Sequence, residues 1–183
     1  MIHKTAQIGN ADIGLGTSVW QHSVILDGAK IGSNCNINCH TFIEGNTEIG
    51  DNVTIKSGVY VWSGIRISDN VFVGPNVTFI NDKYPRSKDY PDSFISTHVD
   101  YSASIGGGAV IMCGVTIGKY AMVGAGAVVT RSVPTRSVVY GNPAIHKGWA
   151  NTNGTLMHSV GDGIYMDSEG KMWKEIDNQI QEL

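Results

Sequence analysis

Aliphatic residues recur along this chain with a period of six. Ile13, Val19, Ile25, Ile31, Ile37, Ile43, Ile49, Ile55, Val61, Ile67 and Val73 hold the beat, and Phe79 closes the run. Ile2 and Ile8 begin it one residue out of phase, and it resumes at Ile105, Ile111, Ile117, Val123 and Val129. Four residues after each anchor stands a small or β-branched side chain, such as Thr17, Ser23, Cys35 and Thr41, and later Ala109, Ala121 and Ala127. An amphipathic helix would repeat its apolar face at three and four residues, so a period of six excludes one. A short strand and a tight corner, repeated, fits. Three such units close a triangular coil of about 18 residues, and coils stack at roughly 4.8 Å. The hexads predict an all-β fold, a parallel β-helix of about six coils and roughly 30 Å, with the anchors inside.

The beat stops at "FIND". Residues 81–104 hold two of the five prolines and no hexad, which predicts an extruded loop with a functional reason to exist. The segment "RSVPTRSVVYGNPA" (131–144) ends the repeat. The chain therefore divides into a β-helix over 1–148, carrying the loop, and an extension over 149–183. In that extension "GIYMDSEGKMWKEI" reads as a hairpin around Ser168–Gly170, while Trp173, Ile176 and Ile180 also fit one side of a short helix. Either would cover the open edge of the last coil.

Composition narrows the function classes. A net charge of −3 gives no global case for nucleic-acid binding, and no apolar run reaches the length of a membrane span. The N-terminus lacks the charged-then-apolar pattern of a signal peptide. Three cysteines in no zinc-like spacing read as reduced thiols of a cytoplasmic protein. Charge is also uneven: residues 101–150 contain Lys119, Arg131, Arg136 and Lys147 and no acid. An acid-free, glycine-rich end of a β-helix suits a polyanionic ligand.

Of the six histidines, His22 and His40 stand 18 residues apart, at the same position of successive coils and three residues past their anchors. That spacing points both outward. Surface chance, a metal site and an active-site wall all remain open for them. Trp62 and Glu44 are also 18 apart and stack on one face. Glu44 reads equally well as a solvated charge.

The blocks "INCHTFIEG", "SDNVFVGPNVTFINDKYPRSK", "SIGGGAVIMCGVTIG", "AMVGAGAVVT" and "VVYGNPA" resemble the hexapeptide-repeat acyltransferases. More narrowly, they resemble the acetyl-CoA-dependent N-acetyltransferases of nucleotide-linked 3-amino sugars, over residues 1–148. The resemblance implies a left-handed coil, where general handedness rules for parallel crossovers would argue the opposite. It implies a homotrimer with active sites between subunits, acetyl-CoA as donor, and a dTDP- or UDP-linked amino deoxysugar as acceptor. The setting it implies is the making of surface-polysaccharide precursors such as those of lipopolysaccharide. Carried over by position, backbone around Gly106 and from Gly124 and Ala125 to Ala127 would hold the pantetheine arm. Arg131, Arg136 and Lys147 would meet phosphates, and Pro143 would pack on adenine. Some relatives carry a cysteine-bearing zinc segment after "GW"; "GWANTNGTLM" has no cysteine, so no metal is expected. The γ-class carbonic anhydrases share the scaffold but use an H-x4-H pair that is absent here.

For chemistry, His40 is the candidate base, with Asp82 as base or orienter and Asn81 holding the amine or the thioester oxygen. The departing thiolate can also take a proton in the end, so a dedicated base is optional. Trp62, Tyr84, Arg86 and Lys88 offer rings and cations suited to a nucleoside diphosphate. Two other functions stay in view. One is O-acetylation of a sugar or small alcohol on the same scaffold; the other is a non-catalytic β-helix serving assembly.

Overall fold

Each hexad becomes a short strand and a corner, and the strands gather into three parallel walls in the computed structural model, which describes residues 1–183. The first wall runs from Ser18–Val19 through Asn36–Ile37, Thr54–Ile55, Phe72–Val73, Ser104–Ile105 and Met122–Val123 to Ser137–Tyr140. The second runs from Gln7–Ile8 through Val24–Ile25, Phe42–Ile43, Tyr60–Val61, Thr78–Phe79 and Val110–Ile111 to Val128–Val129. The third runs from Asp12–Ile13 through Lys30–Ile31, Glu48–Ile49, Ile65–Ile67 and Thr97–Val99 to Thr116–Ile117. Partners lie in register one coil apart, as in Asn36↔Thr54, Phe42↔Tyr60 and Lys30↔Glu48.

The result is a left-handed parallel β-helix of about seven turns. That is one more than the hexad count predicts. Gln7–Ile8 pairs with Val24–Ile25 despite its phase slip, and Ser137–Tyr140 adds a rung after the last regular anchor. The anchors fill the interior: Val19, Ile37, Ile43, Ile55, Val61, Val73, Phe79, Ile105, Ile111 and Ile117 have no accessible surface. The small residues four places on fit the tapering corners. Where they are polar, their hydroxyls are satisfied, as in Thr17 Oγ1 donating to the Gly32 carbonyl (2.7 Å) and Thr41 Oγ1 to that of Asn38 (2.7 Å).

Most corners hold one residue with left-handed backbone. The corner between third and first walls uses Gly16, Asn34, Asn52, Asn70, Ser102, Tyr120 and Arg136. The corner between first and second walls uses His22, His40, Gly58, Asn76, Gly108 and Gly126. A β-carbon there costs about 1–2 kcal/mol, which favours glycine and asparagine.

The loop leaves after Thr78–Phe79, as the broken rhythm predicts, but it returns sooner. Thr97–Val99 pairs with both Ile65–Ile67 and Thr116–Ile117, so the excursion covers 80–96 rather than 81–104. Val99 is an anchor in phase with Ile105, but a single hexad beside an irregular stretch gives no period to detect.

The extension forms the hairpin alternative, enlarged to a four-stranded antiparallel sheet: His158–Gly161, Ile164–Met166, Met172–Ile176 and Gln179–Glu182. The chain has no helix. Asp167 holds the central turn, accepting hydrogen bonds from the Glu169 and Lys171 N–H groups and from Trp173 Nε1 (2.8 Å). Ile145–Trp149 runs antiparallel to Ser137–Tyr140 and closes that edge of the last coil.

Candidate functional site

His22 and His40 occupy left-handed corners, both at φ 58°, where the other coils of that column place glycine or asparagine. Their rings stack, with centroids 5.3 Å apart and planes 21° from parallel. Beside them a hollow of about 360 Å³ opens on the second wall, lined also by Val24, Thr41, Phe42, Tyr60 and Trp62. Phe42, Tyr60 and Trp62 form one cluster, with centroids 5.6–6.1 Å apart. No charged side chain lines the hollow. The 18-residue spacing that pairs Glu44 with Trp62 also pairs Phe42 with Tyr60, and it is the one signal in the sequence that marks these two.

Asn81 and Asp82 stand at the other edge of the same wall, where the loop departs. Asn81 Nδ2 donates to the Ser63 carbonyl (3.4 Å), and the Ser63 N–H donates to Glu44 Oε2 (2.7 Å). Glu44 is thus a corner brace rather than a solvated charge. Asp82 Oδ1 accepts from the Tyr84 N–H (2.9 Å). His40 precedes the strand Phe42–Ile43, whereas Asn81 and Asp82 follow Thr78–Phe79, so one chain does not bring the three together. In the loop Tyr84 is exposed, Lys83 lies 5.6 Å from its ring centre, and Arg86 Nη1 donates to the Pro85 carbonyl. Arg86 and Lys88 form no ion pair.

At the far end Gly106 and Gly124 stack in successive coils. A β-carbon on Gly106 would fall 2.8 Å from the Gly124 carbonyl carbon, and one on Gly124 would fall 2.6 Å from Tyr140 Cβ. Coil stacking alone therefore requires glycine at both, with no appeal to a ligand. Ala127 points into the core. What the corner does offer is backbone: the N–H groups of Gly107 and Ala125 have no partner within the chain. Segment Gly141–Ala144 runs along Val128, presenting Pro143 at the surface. Arg131 is exposed and makes neither an ion pair nor a hydrogen bond, and Lys147 Nζ sits 5.3 Å from the Tyr140 ring.

Arg136 departs from the phosphate role expected of it. Its guanidinium is sandwiched between Tyr120 (4.8 Å) and Trp173 (4.7 Å) and donates to the Ala150 carbonyl. It fastens the extension to the helix. The acid-free end also receives an acid from elsewhere: Glu175 accepts from Trp149 Nε1 and Tyr165 Oη, both at 3.1 Å. It joins Arg131, Ser137, His146 and Trp149 around a second cavity of about 360 Å³. His146 Nδ1 and Ser137 Oγ are 2.7 Å apart, and burial lowers the His146 pKa below the ordinary histidine value, against the pull of Glu175.

Residues 46–81 match the family model "Bacterial transferase hexapeptide (six repeats)". Over 93 residues the chain is 47% identical to dTDP-3-amino-3,6-dideoxy-alpha-D-galactopyranose 3-N-acetyltransferase of Aneurinibacillus thermoaerophilus, covering 51% of this chain and 48% of that one. Over 98 residues it is 30% identical to galactoside O-acetyltransferase of Lactococcus lactis, covering 51% and 47%. The chain thus spans about half the length of the curated relatives it matches. Among solved structures, WeeI from Acinetobacter baumannii is similar at 27% identity and TM-score 0.52, over 79% of this chain and 56% of that one. A Bacillus cereus acetyltransferase structure shares the fold at 23% identity and TM-score 0.60, over 84% and 79%. The hexads, the three walls and these matches agree on a hexapeptide-repeat β-helix, and residues 46–81 carry the repeat of the bacterial transferase hexapeptide model.

Proposed function

We propose that this protein transfers an acetyl group from acetyl-CoA to the 3-amino group of a nucleotide-linked amino deoxysugar, working as a homotrimer. The observation that carries the reading is the 47% identity over half the chain to an N-acetyltransferase of a dTDP-linked 3-amino sugar. Features of this chain fit it. The donor end has free backbone N–H groups at Gly107 and Ala125, an unpaired Arg131, and no acid of its own within 101–150. Those groups with Lys147 and Pro143 would hold acetyl-CoA, which supplies a thioester acyl group. Arg136, already clamped, is left out.

In this mechanism the chain's residues orient the amine and move its proton. His40, with no hydrogen bond to either ring nitrogen within the chain, is free to accept the amine proton as the new C–N bond forms, the thioester C–S bond breaks and the thiolate of CoA leaves. Asn81 and Asp82, from the opposite edge of a neighbouring subunit's second wall, complete the groove. The Asn81 amide donates to the developing oxygen charge and the Asp82 carboxylate orients the amine. Arg86 and Lys88 meet the diphosphate, with Tyr84 and Trp62 against the nucleoside or sugar. A groove shared in this way fits a trimer.

The test is a screen of dTDP- and UDP-linked 3-amino sugars with acetyl-CoA, following release of free thiol. Turnover with amino sugars and none with their hydroxyl counterparts supports the reading. Turnover only with hydroxyl acceptors replaces it with O-acetylation, which the similarity to a galactoside O-acetyltransferase favours as second reading.

A further inference from the structure

Left-handed corners penalise side chains, so a large residue there needs a reason. Among the corner residues that are neither glycine nor asparagine, Tyr120 and Arg136 have one: they stack on each other and clamp the extension. His22 and His40 have no such structural duty. Their rings bond to nothing in the chain and touch each other, over a hollow whose floor is Phe42, Tyr60 and Trp62. Outward positions on the third wall carry Lys30, Glu48 and Arg66. On the second wall the matching coils carry Val24, Phe42 and Tyr60, and Tyr60 leaves 51% of its surface open. An uncharged cavity with aromatic walls and a few free polar nitrogens is built for a neutral, ring-shaped ligand.

We infer that this hollow seats the hexose ring of the acceptor, with Tyr60 as its floor and His22 as the positioning residue that holds the His40 ring. The inference rests on the N-acetyltransferase reading above and adds two residues to it. The sugar's C–H edges lie on the Tyr60 ring, its charged diphosphate stays outside towards the loop cations, and its amine meets His40. His22 fixes the plane of the His40 imidazole from one coil away. Asparagine at 22 keeps the backbone and removes the ring; phenylalanine keeps the ring and removes its nitrogens.

The experiment uses the full chain and a dTDP-linked 3-amino-6-deoxyhexose. Dissociation constants are measured by calorimetry without acetyl-CoA, and kcat and KM with it. His40 ring resonances are followed by NMR, and oligomeric state by light scattering. Tyr60→Ser is expected to weaken sugar binding roughly three- to tenfold with oligomeric state unchanged. His22→Asn is expected to lower kcat about tenfold at similar KM and to move the His40 resonances, and His22→Phe to restore both. Lys30→Ala, on the charged wall, is the control and stays at wild type. Unchanged binding in Tyr60→Ser, or loss of the assembly in that variant, overturns the hollow as a sugar seat and makes it an interface. Wild-type kcat and His40 signals in His22→Asn overturn the pairing. A wild-type enzyme that neither binds nor acetylates any amino sugar instead sinks the function itself.

Discussion

At the residue scale, the helix sorts its corner positions into those that serve the coil and those that do not. His40→Asn should lower kcat at least about 100-fold, the contribution typical of a positioned base. Its melting temperature should hold or rise, because asparagine accepts the left-handed backbone more readily. Circular dichroism melts beside initial-rate assays check both halves, and a parallel loss of activity and fold would show a structural histidine instead. Gly106→Ala tests the opposite kind of position. Its new β-carbon meets backbone of the next coil, which cannot swing aside as a side chain can. A loss of about 1–3 kcal/mol in urea unfolding is expected, and full stability would mean the coils separate easily.

At the element scale, the loop and the extension behave as independent additions to a continuous prism. Replacing residues 80–96 with a tight corner of the kind used elsewhere on that edge should preserve the melting temperature. Turnover should be lost, since Asn81, Asp82, Arg86 and Lys88 leave with the loop. A variant that melts early would show that the loop supports the coil. The end of the helix, where the extension docks, carries a pH dependence. His146 is held neutral by burial, with its folded pKa below its unfolded value near 6.5. Its contribution is therefore complete above that value and is lost as pH falls through the lowered folded pKa. The urea midpoint should drop between pH 7.5 and 5.5, and His146→Asn should flatten the drop. Much of this scale was legible in the sequence. The anchors, the exit of the loop and the hairpin option all lie in local pattern. The return at Thr97, the clamp on Arg136 and the arrival of Glu175 beside Trp149 are not legible, because each depends on where a distant segment docks.

At the scale of the whole molecule, the three walls differ in character. The third carries the Lys30–Glu48 and Glu48–Arg66 ion pairs, both at 3.8 Å, and suits water. The second presents Val24, Phe42, Tyr60, Val110 and Val128. The accessible surface, 9568 Å², exceeds by about a tenth the ~8,600 Å² expected of a monomer of this mass. A partner against the Val110 and Val128 end of that wall, clear of the Tyr60 hollow, would remove that excess. Light scattering should return about three times the 19.6 kDa chain mass, near 59 kDa; a monomer that still turns over would rule out a shared groove. A trimer is implied by family likeness alone, since nothing in a six-residue period says which wall faces a neighbour.

The corner that holds His40 passes in succession through Gly58, Asn76 and Gly108 to Gly126, four coils on. At strand spacing that is about 19 Å of rigid, straight separation between the histidine and the end where Arg131 waits. The prism is in this sense a ruler. Its graduations are coils, and the only lengths it can offer between its two ends are whole multiples of one strand spacing. A change in donor or acceptor size then cannot be met by small adjustments of the scaffold. It has to be met by the loop and the corner side chains, which are the parts of this chain that break its period.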